Sequence, residues 1–81
     1  MRRSQRQIIR LMLETAREGI KKTNLMFASY LSWKQLLPYL TRLMAMGLLR
    51  EESPYYHTTP KGQRWLEAYE TLRQLEEPRR T

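Results

Sequence analysis

Few side chains in this sequence can make or break bonds. His57 is the only histidine, and neither cysteine nor aspartate occurs. A lone imidazole with no cysteine or aspartate beside it cannot assemble a metal set or a nucleophilic triad, so His57 reads as a strand residue near the surface. The eight carboxylates are all glutamates. They fall on helix surfaces, in one turn and in the tail, and no glycine-rich phosphate loop accompanies them. Neither an enzyme nor a metal or organic cofactor is expected, and no small-molecule pocket is evident in so short a chain. The lack of cysteine excludes a disulfide scaffold and suits a reducing cytoplasm.

What these residues can do is attract anions. Fifteen Lys and Arg against eight Glu give a net charge of +7. The charge is concentrated: residues 1–50 hold ten cations and two glutamates, a local balance of +8, whereas residues 51–81 balance to −1. Such a field draws a polyanion, either nucleic acid or an acidic membrane face, with an affinity that falls as salt rises. A solvated surface is the alternative reading. Eleven of the cations are arginines, whose planar fork suits phosphate and guanine. The basic start Met1-Arg2-Arg3-Ser4 is not followed by an apolar run, so no secretory signal is expected. The longest nearly apolar stretch, Leu43 to Leu49, is far short of the ~20 residues a bilayer span needs. A cytoplasmic location, at the nucleoid, and no membrane partner are the expectation.

The elements that position these charges can be read from caps and periodicity. With 81 residues and 41% hydrophobic content, one small domain with a marginal core is expected, stabilised in part by self-association. Ser4 caps a first helix with Ile8, Leu11, Met12 and Ala16 on one face, flanked by Ile9 and Leu13, and ended by Gly19. Thr23 is an N-cap candidate for a second, two-turn helix. Ser32 with Gln35 three residues on forms a capping box, so a third helix begins at Trp33. On a 100° wheel Leu36, Leu40 and Leu43 face the core, flanked by Leu37 and Met44, while Gln35, Pro38, Arg42 and Ala45 lie opposite. Gly47 stops this helix. Leu48-Leu49-Arg50 and Tyr55-Tyr56-His57-Thr58 read as two short strands about the turn Glu51-Glu52-Ser53-Pro54. Thr59-Pro60 opens a last helix with Trp65, Ala68, Leu72 and Leu75 at seam spacing.

This order predicts a mainly α chain with a small β-hairpin (α+β): a winged helix-turn-helix followed by a C-terminal helix. The expected organisation is a single domain over 1–81, with a basic arm at 1–5, the winged helix-turn-helix at 6–58, a dimerisation helix at 59–77 and a tail at 78–81.

Three motifs sharpen this reading: Lys22-Thr23-Asn24-Leu25-Met26-Phe27 opening the second helix, Leu31-Ser32-Trp33-Lys34-Gln35-Leu36 opening the third, and Thr59-Pro60-Lys61-Gly62 before the last. Together with Gly19-Ile20-Lys21, Tyr39-Leu40 and Gly47-Leu48-Leu49, the stretch from about residue 6 to 72 resembles the small archaeal winged-helix DNA-binding proteins, which include chromatin-associated proteins and transcriptional regulators. The resemblance implies double-stranded DNA binding through the third helix and homodimerisation through the C-terminal helix. Two features depart from it. The last helix holds only about two heptads of seam, so a compact dimer that also uses the first helix can replace a long coiled coil. Pro38 sits inside the third helix, where a kink or a late start is expected.

Within that frame Lys34, Gln35, Pro38 and Arg42 are the base-reading candidates; glutamine can pair with adenine and arginine with guanine. The phosphate candidates are Lys21, Lys22, Thr23 and Asn24 around the start of the second helix, with Arg50 and with Tyr39 and Thr41, which flank the reading face and can touch a phosphate or a thymine methyl, Tyr39 alternatively packing against the hairpin. Arg2, Arg3 and Arg6 form a candidate minor-groove arm. Trp65, Ala68, Tyr69, Leu72 and Leu75 are the seam candidates. Trp33 is expected to seal the core edge, and the wing acids Glu51 and Glu52 to weaken that hairpin as a phosphate clamp. The sum of these expectations is a homodimeric regulator or nucleoid protein. The alternative is a protein-interaction adaptor anchored by Trp33, Tyr55 and Tyr56.

Overall fold

The computed structural model describes residues 4–76. Helix α1, Gln5–Thr15, opens with a capping box in which Ser4 Oγ accepts the Gln7 N–H and Gln7 Oε1 accepts the Ser4 N–H. It buries Ile9, Met12 and Leu13. The helix ends at Thr15, four residues before the glycine expected to end it. The Thr15 hydroxyl donates back to the Leu11 and Met12 carbonyls, and the Ala16 carbonyl is taken by the N–H groups of Gly19 and Thr58. Gly19, at φ +96°, instead turns the chain into a strand; a Cβ there would lie 2.6 Å from the His57 ring.

That strand, β1 (Ile20–Lys21), has no counterpart in the sequence pattern. It pairs antiparallel with β3 (Tyr55–Thr58), which in turn pairs with β2 (Leu49–Glu52), so the hairpin is part of a three-stranded sheet of order β1-β3-β2. Two residues carry no alternation to read. Glu51 and Glu52 belong to β2, so the turn shrinks to Ser53–Pro54.

Helix α2, Lys22–Ala28, continues from β1 without a break. Lys21 is its N-cap and makes no side-chain cap bond, so Thr23 lies in the first turn and caps nothing. Its C-terminus closes with the Tyr30 N–H donating to the Phe27 carbonyl and the Leu31 N–H to the Met26 carbonyl. This wrap puts Tyr30 at φ +58°, a left-handed position that helix ends usually give to glycine. Helix α3, Trp33–Ala45, closes with the same pattern around Gly47, whose φ is +76°. It starts at Trp33 as expected, under the Ser32–Gln35 capping box. Pro38 does not delay that start: α3 runs on through it, and Lys34, whose carbonyl loses the Pro38 donor, is exposed to water.

Helix α4, Pro60–Glu76, is locked to the end of α3 by its first residues. Thr59 Oγ1 accepts the Gly62 N–H and donates to the Gly47 carbonyl. Lys61 Nζ reaches the Met46 carbonyl at 2.8 Å. Gly62 packs on the Leu48 carbonyl and the Thr58 methyl. Thr58 in turn donates to the Leu13 carbonyl at 2.6 Å, one of the carbonyls a helix end leaves unbonded. The core that these ties enclose contains Met12, Leu13, Leu25, Leu36, Leu40, Leu43, Leu48, Tyr56 and Leu66.

Tyr56 is buried opposite Glu51 on β2. Burial pushes its phenol above the ordinary value of 10.0, and the Glu51 carboxylate adds to this through its charge and as acceptor of the phenol proton. The folded chain therefore holds that proton more tightly than the unfolded chain. The resulting stability is fully present below the ordinary value and is lost as pH rises through the raised one. Tyr56→Phe is accordingly expected to flatten the fall in urea midpoint between about pH 9 and about pH 11; an unchanged slope would remove Tyr56 from the alkaline transition.

Candidate nucleic-acid interface

Leu36, Leu40 and Leu43 bury one side of α3, which leaves Lys34, Pro38, Thr41, Arg42 and Ala45 exposed on the other. Not all of these are equally available. Gln35 Oε1 accepts the Ser32 N–H at 2.9 Å, so the amide proposed to read adenine is already engaged in the capping box. Arg42 Nη1 donates to Gln5 Oε1 at 3.3 Å, which turns the guanidinium toward the first turn of α1. Tyr39 is half-buried against the core on that same side, lining a hollow with Gln5, Pro38 and Arg42. Leu37, placed by its wheel angle beside the packing face, is 42% exposed.

The other flank of α3 meets the start of α2. The Lys22 ammonium sits 4.5 Å from the Trp33 ring centroid, an attraction of about 0.5–1 kcal/mol at an exposed site. Trp33 is 43% exposed, so it does not seal the core edge; it forms an outward platform under a cation. Lys21 lies 6.0 Å from the Tyr55 ring. Lys21, Lys22 and Thr23 face Glu51, Ser53, Pro54 and Tyr56 across a hollow of about 280 Å³. The start of α2 thus lies between the wing, which Lys21 approaches, and the first turn of α3, which Lys22 covers. Asn24 is exposed in α2.

The wing neutralises itself. Arg50 Nη1 is 2.9 Å from Glu52 Oε2, and Glu52 Oε1 is 3.4 Å from His57 Nε2. Arg50 is therefore paired with a carboxylate rather than left open for a phosphate. His57 is half-buried in β3, in keeping with its reading as a strand residue.

Of the proposed arm, Arg2 and Arg3 lie outside the described residues. Arg6 belongs to α1 and turns toward α4, lining a hollow with Trp65, Ala68, Tyr69 and Leu72. Trp65 and Tyr69 stack with centroids 5.3 Å apart and planes 7° from parallel. Beyond them Leu72 and Leu75 are 38% and 79% exposed. Tyr56 is too deeply buried to anchor a partner, whereas Tyr55 is open. Phe27 and Tyr30, the most exposed aromatics, were given no outward role by the sequence; the signal available was Tyr30 itself, where a glycine would have ended α2. Among the described residues no cluster of His, Cys, Asp or Glu suits a metal ion, and no helix is long and apolar enough to cross a membrane.

No curated protein matches this sequence. Residues 2–77 match the winged helix-turn-helix family, an architecture generally associated with DNA binding. The element order α1-β1-α2-α3-β2-β3-α4 carries that same plan, and the chain belongs to the winged helix-turn-helix family.

Proposed function

We propose that this protein binds double-stranded DNA as a homodimer and acts as a transcriptional regulator or nucleoid-associated protein, with no chemistry of its own. The observation that carries the reading is the Lys22 ammonium over Trp33 at the exposed start of α3, with Lys34 in the same turn and Lys21 between it and the wing at Tyr55, within a half-chain whose balance is +8. In this reading α3 enters the major groove, and the cations at the start of α2 sit over phosphates. Thr23 and Asn24 are exposed in α2 and add hydrogen bonds to the backbone. Arg50, held by Glu52, contributes least. Dimerisation falls to α4, where Leu72 and Leu75 leave apolar surface open past the Trp65–Tyr69 stack. A two-fold dimer would set the two α3 helices roughly 34 Å apart, one turn of DNA.

The test is fluorescence anisotropy of labelled duplex over a salt series, with the assembly state followed by light scattering. A log-log slope of about −4 or steeper is expected, equivalent to neutralising four to five phosphates. No binding at about 50 mM salt would reject the reading. The adaptor alternative, with Trp33 and Tyr55 as anchors, would then stand in its place.

A further inference from the structure

The two side chains of α3 best suited to bidentate base reading are each partly engaged within the fold. Gln35 has its acceptor on the Ser32 N–H, and Arg42 is drawn to Gln5 of α1. Between Lys34 and Arg42 the open side is largely carbon: the isobutyl group of Leu37, the ring of Pro38 and the methyl of Thr41 beside its hydroxyl, all exposed. An exposed leucine and proline on a helix with Lys34 in its first turn and Lys22 over Trp33 form an apolar strip with cations at its N-terminal end. Those cations fit a polyanion rather than an apolar protein surface. The strip fits the one apolar feature that a polyanionic duplex displays in its major groove, the C5-methyl of thymine.

Resting on the DNA-binding reading, we infer that α3 discriminates bases by apolar contact of Leu37, Pro38 and Thr41 with thymine methyl groups, so that the preferred DNA is a thymine-rich duplex. Lys34, at the start of the strip, supplies attraction without choosing a base. Gln35 and Arg42 act as positioning residues: the first holds the N-terminus of α3, the second holds α3 against α1. This assignment differs from bidentate reading in what it makes the protein sensitive to. Hydrogen-bonding edges are unchanged when thymine is replaced by uracil; only the methyl disappears.

The experiment measures anisotropy of the full chain on matched duplexes at one salt concentration: a thymine-rich duplex, the same duplex with uracil for thymine, and a G·C duplex with cytosine or with 5-methylcytosine. Thymine-to-uracil exchange is expected to weaken binding roughly 10-fold when two or three methyls are contacted. 5-Methylcytosine is expected to tighten the G·C duplex. Thr41→Ser, which removes the protein's methyl and keeps its hydroxyl, should narrow the thymine-uracil difference. Equal affinity for thymine and uracil duplexes overturns the inference and leaves DNA binding intact. A uracil effect without a 5-methylcytosine effect also overturns it, since duplex deformability and not the methyl would then be read. Failure to bind any duplex overturns both readings.

Discussion

Gly62→Ala is expected to destabilise the fold by about 2–3 kcal/mol, in spite of alanine's better helix propensity. On an open helix surface this substitution would gain up to about 1 kcal/mol. At Gly62 the added methyl meets the Leu48 carbonyl and lies 2.6 Å from the Thr58 methyl. Neither can move cheaply: Leu48 is backbone between α3 and β2, and Thr58 is held by its bond to Leu13. The substitution therefore strikes the latch that joins the end of α3, the start of α4 and the sheet. Against a total stability of about 5–10 kcal/mol for a domain of this size, that is a large fraction. Urea unfolding gives the answer through its midpoint, and a midpoint equal to or above that of the unaltered chain would show that α4 does not pack on Leu48.

The second large effect is on affinity. Replacing Lys21, Lys22 and Lys34 together by alanine is expected to lower duplex affinity by about two to three orders of magnitude at about 0.1 M salt, and to reduce the salt slope by about 2.7. The magnitude comes from counterion release: each phosphate contact contributes about 0.9 to the slope and nearly one decade at that salt. Loss of Lys22 also removes the cation over Trp33, so the circular dichroism spectrum of the variant should be checked for retained helix. A slope unchanged within about 0.5 would place the phosphate contacts elsewhere, with the arginines of the N-terminal segment the first to substitute.

The sequence displayed the starts of α1, α3 and α4 far better than that of α2, where Lys21 and not Thr23 is the N-cap, or than its strand at Ile20–Lys21. Ser4 as a cap, and Ser32 with Gln35 as a capping box, each announce a helix from the sequence; Gln7 completes a second box in the folded chain, two side chains three residues apart closing on each other's backbone. Thr59-Pro60-Lys61-Gly62 was equally plain, and in the folded chain this segment joins α4 to the end of α3. Local chemistry of this kind needs no partner from elsewhere in the chain. β1 does: its two residues become a strand only because Tyr56 and Tyr55 lie opposite them, far along in the sequence. The same limit applies to the site. Wheel angles placed Gln35, Pro38 and Arg42 correctly on the open side of α3, yet could not show that Gln35 was occupied by its own cap or that Arg42 leaned on Gln5. Trp33 and Lys22 were each named, but their contact depends on how α2 meets α3, which no single-helix pattern encodes.

Leu66 is the last buried residue of α4, and from Glu70 to Glu76 every residue is exposed. Two helical turns with no buried residue are held by their backbone bonds and by exposed contacts such as Arg73–Glu70 and Thr71–Glu67, whereas most helical stability in a protein comes from tertiary packing. Their local opening free energy therefore lies well below that of the domain. Whatever comes to cover Leu72 and Leu75 must also order these turns, so part of its association free energy is spent within the helix itself. Amide protection over these residues and occupancy of that face are two readouts of one coupled equilibrium.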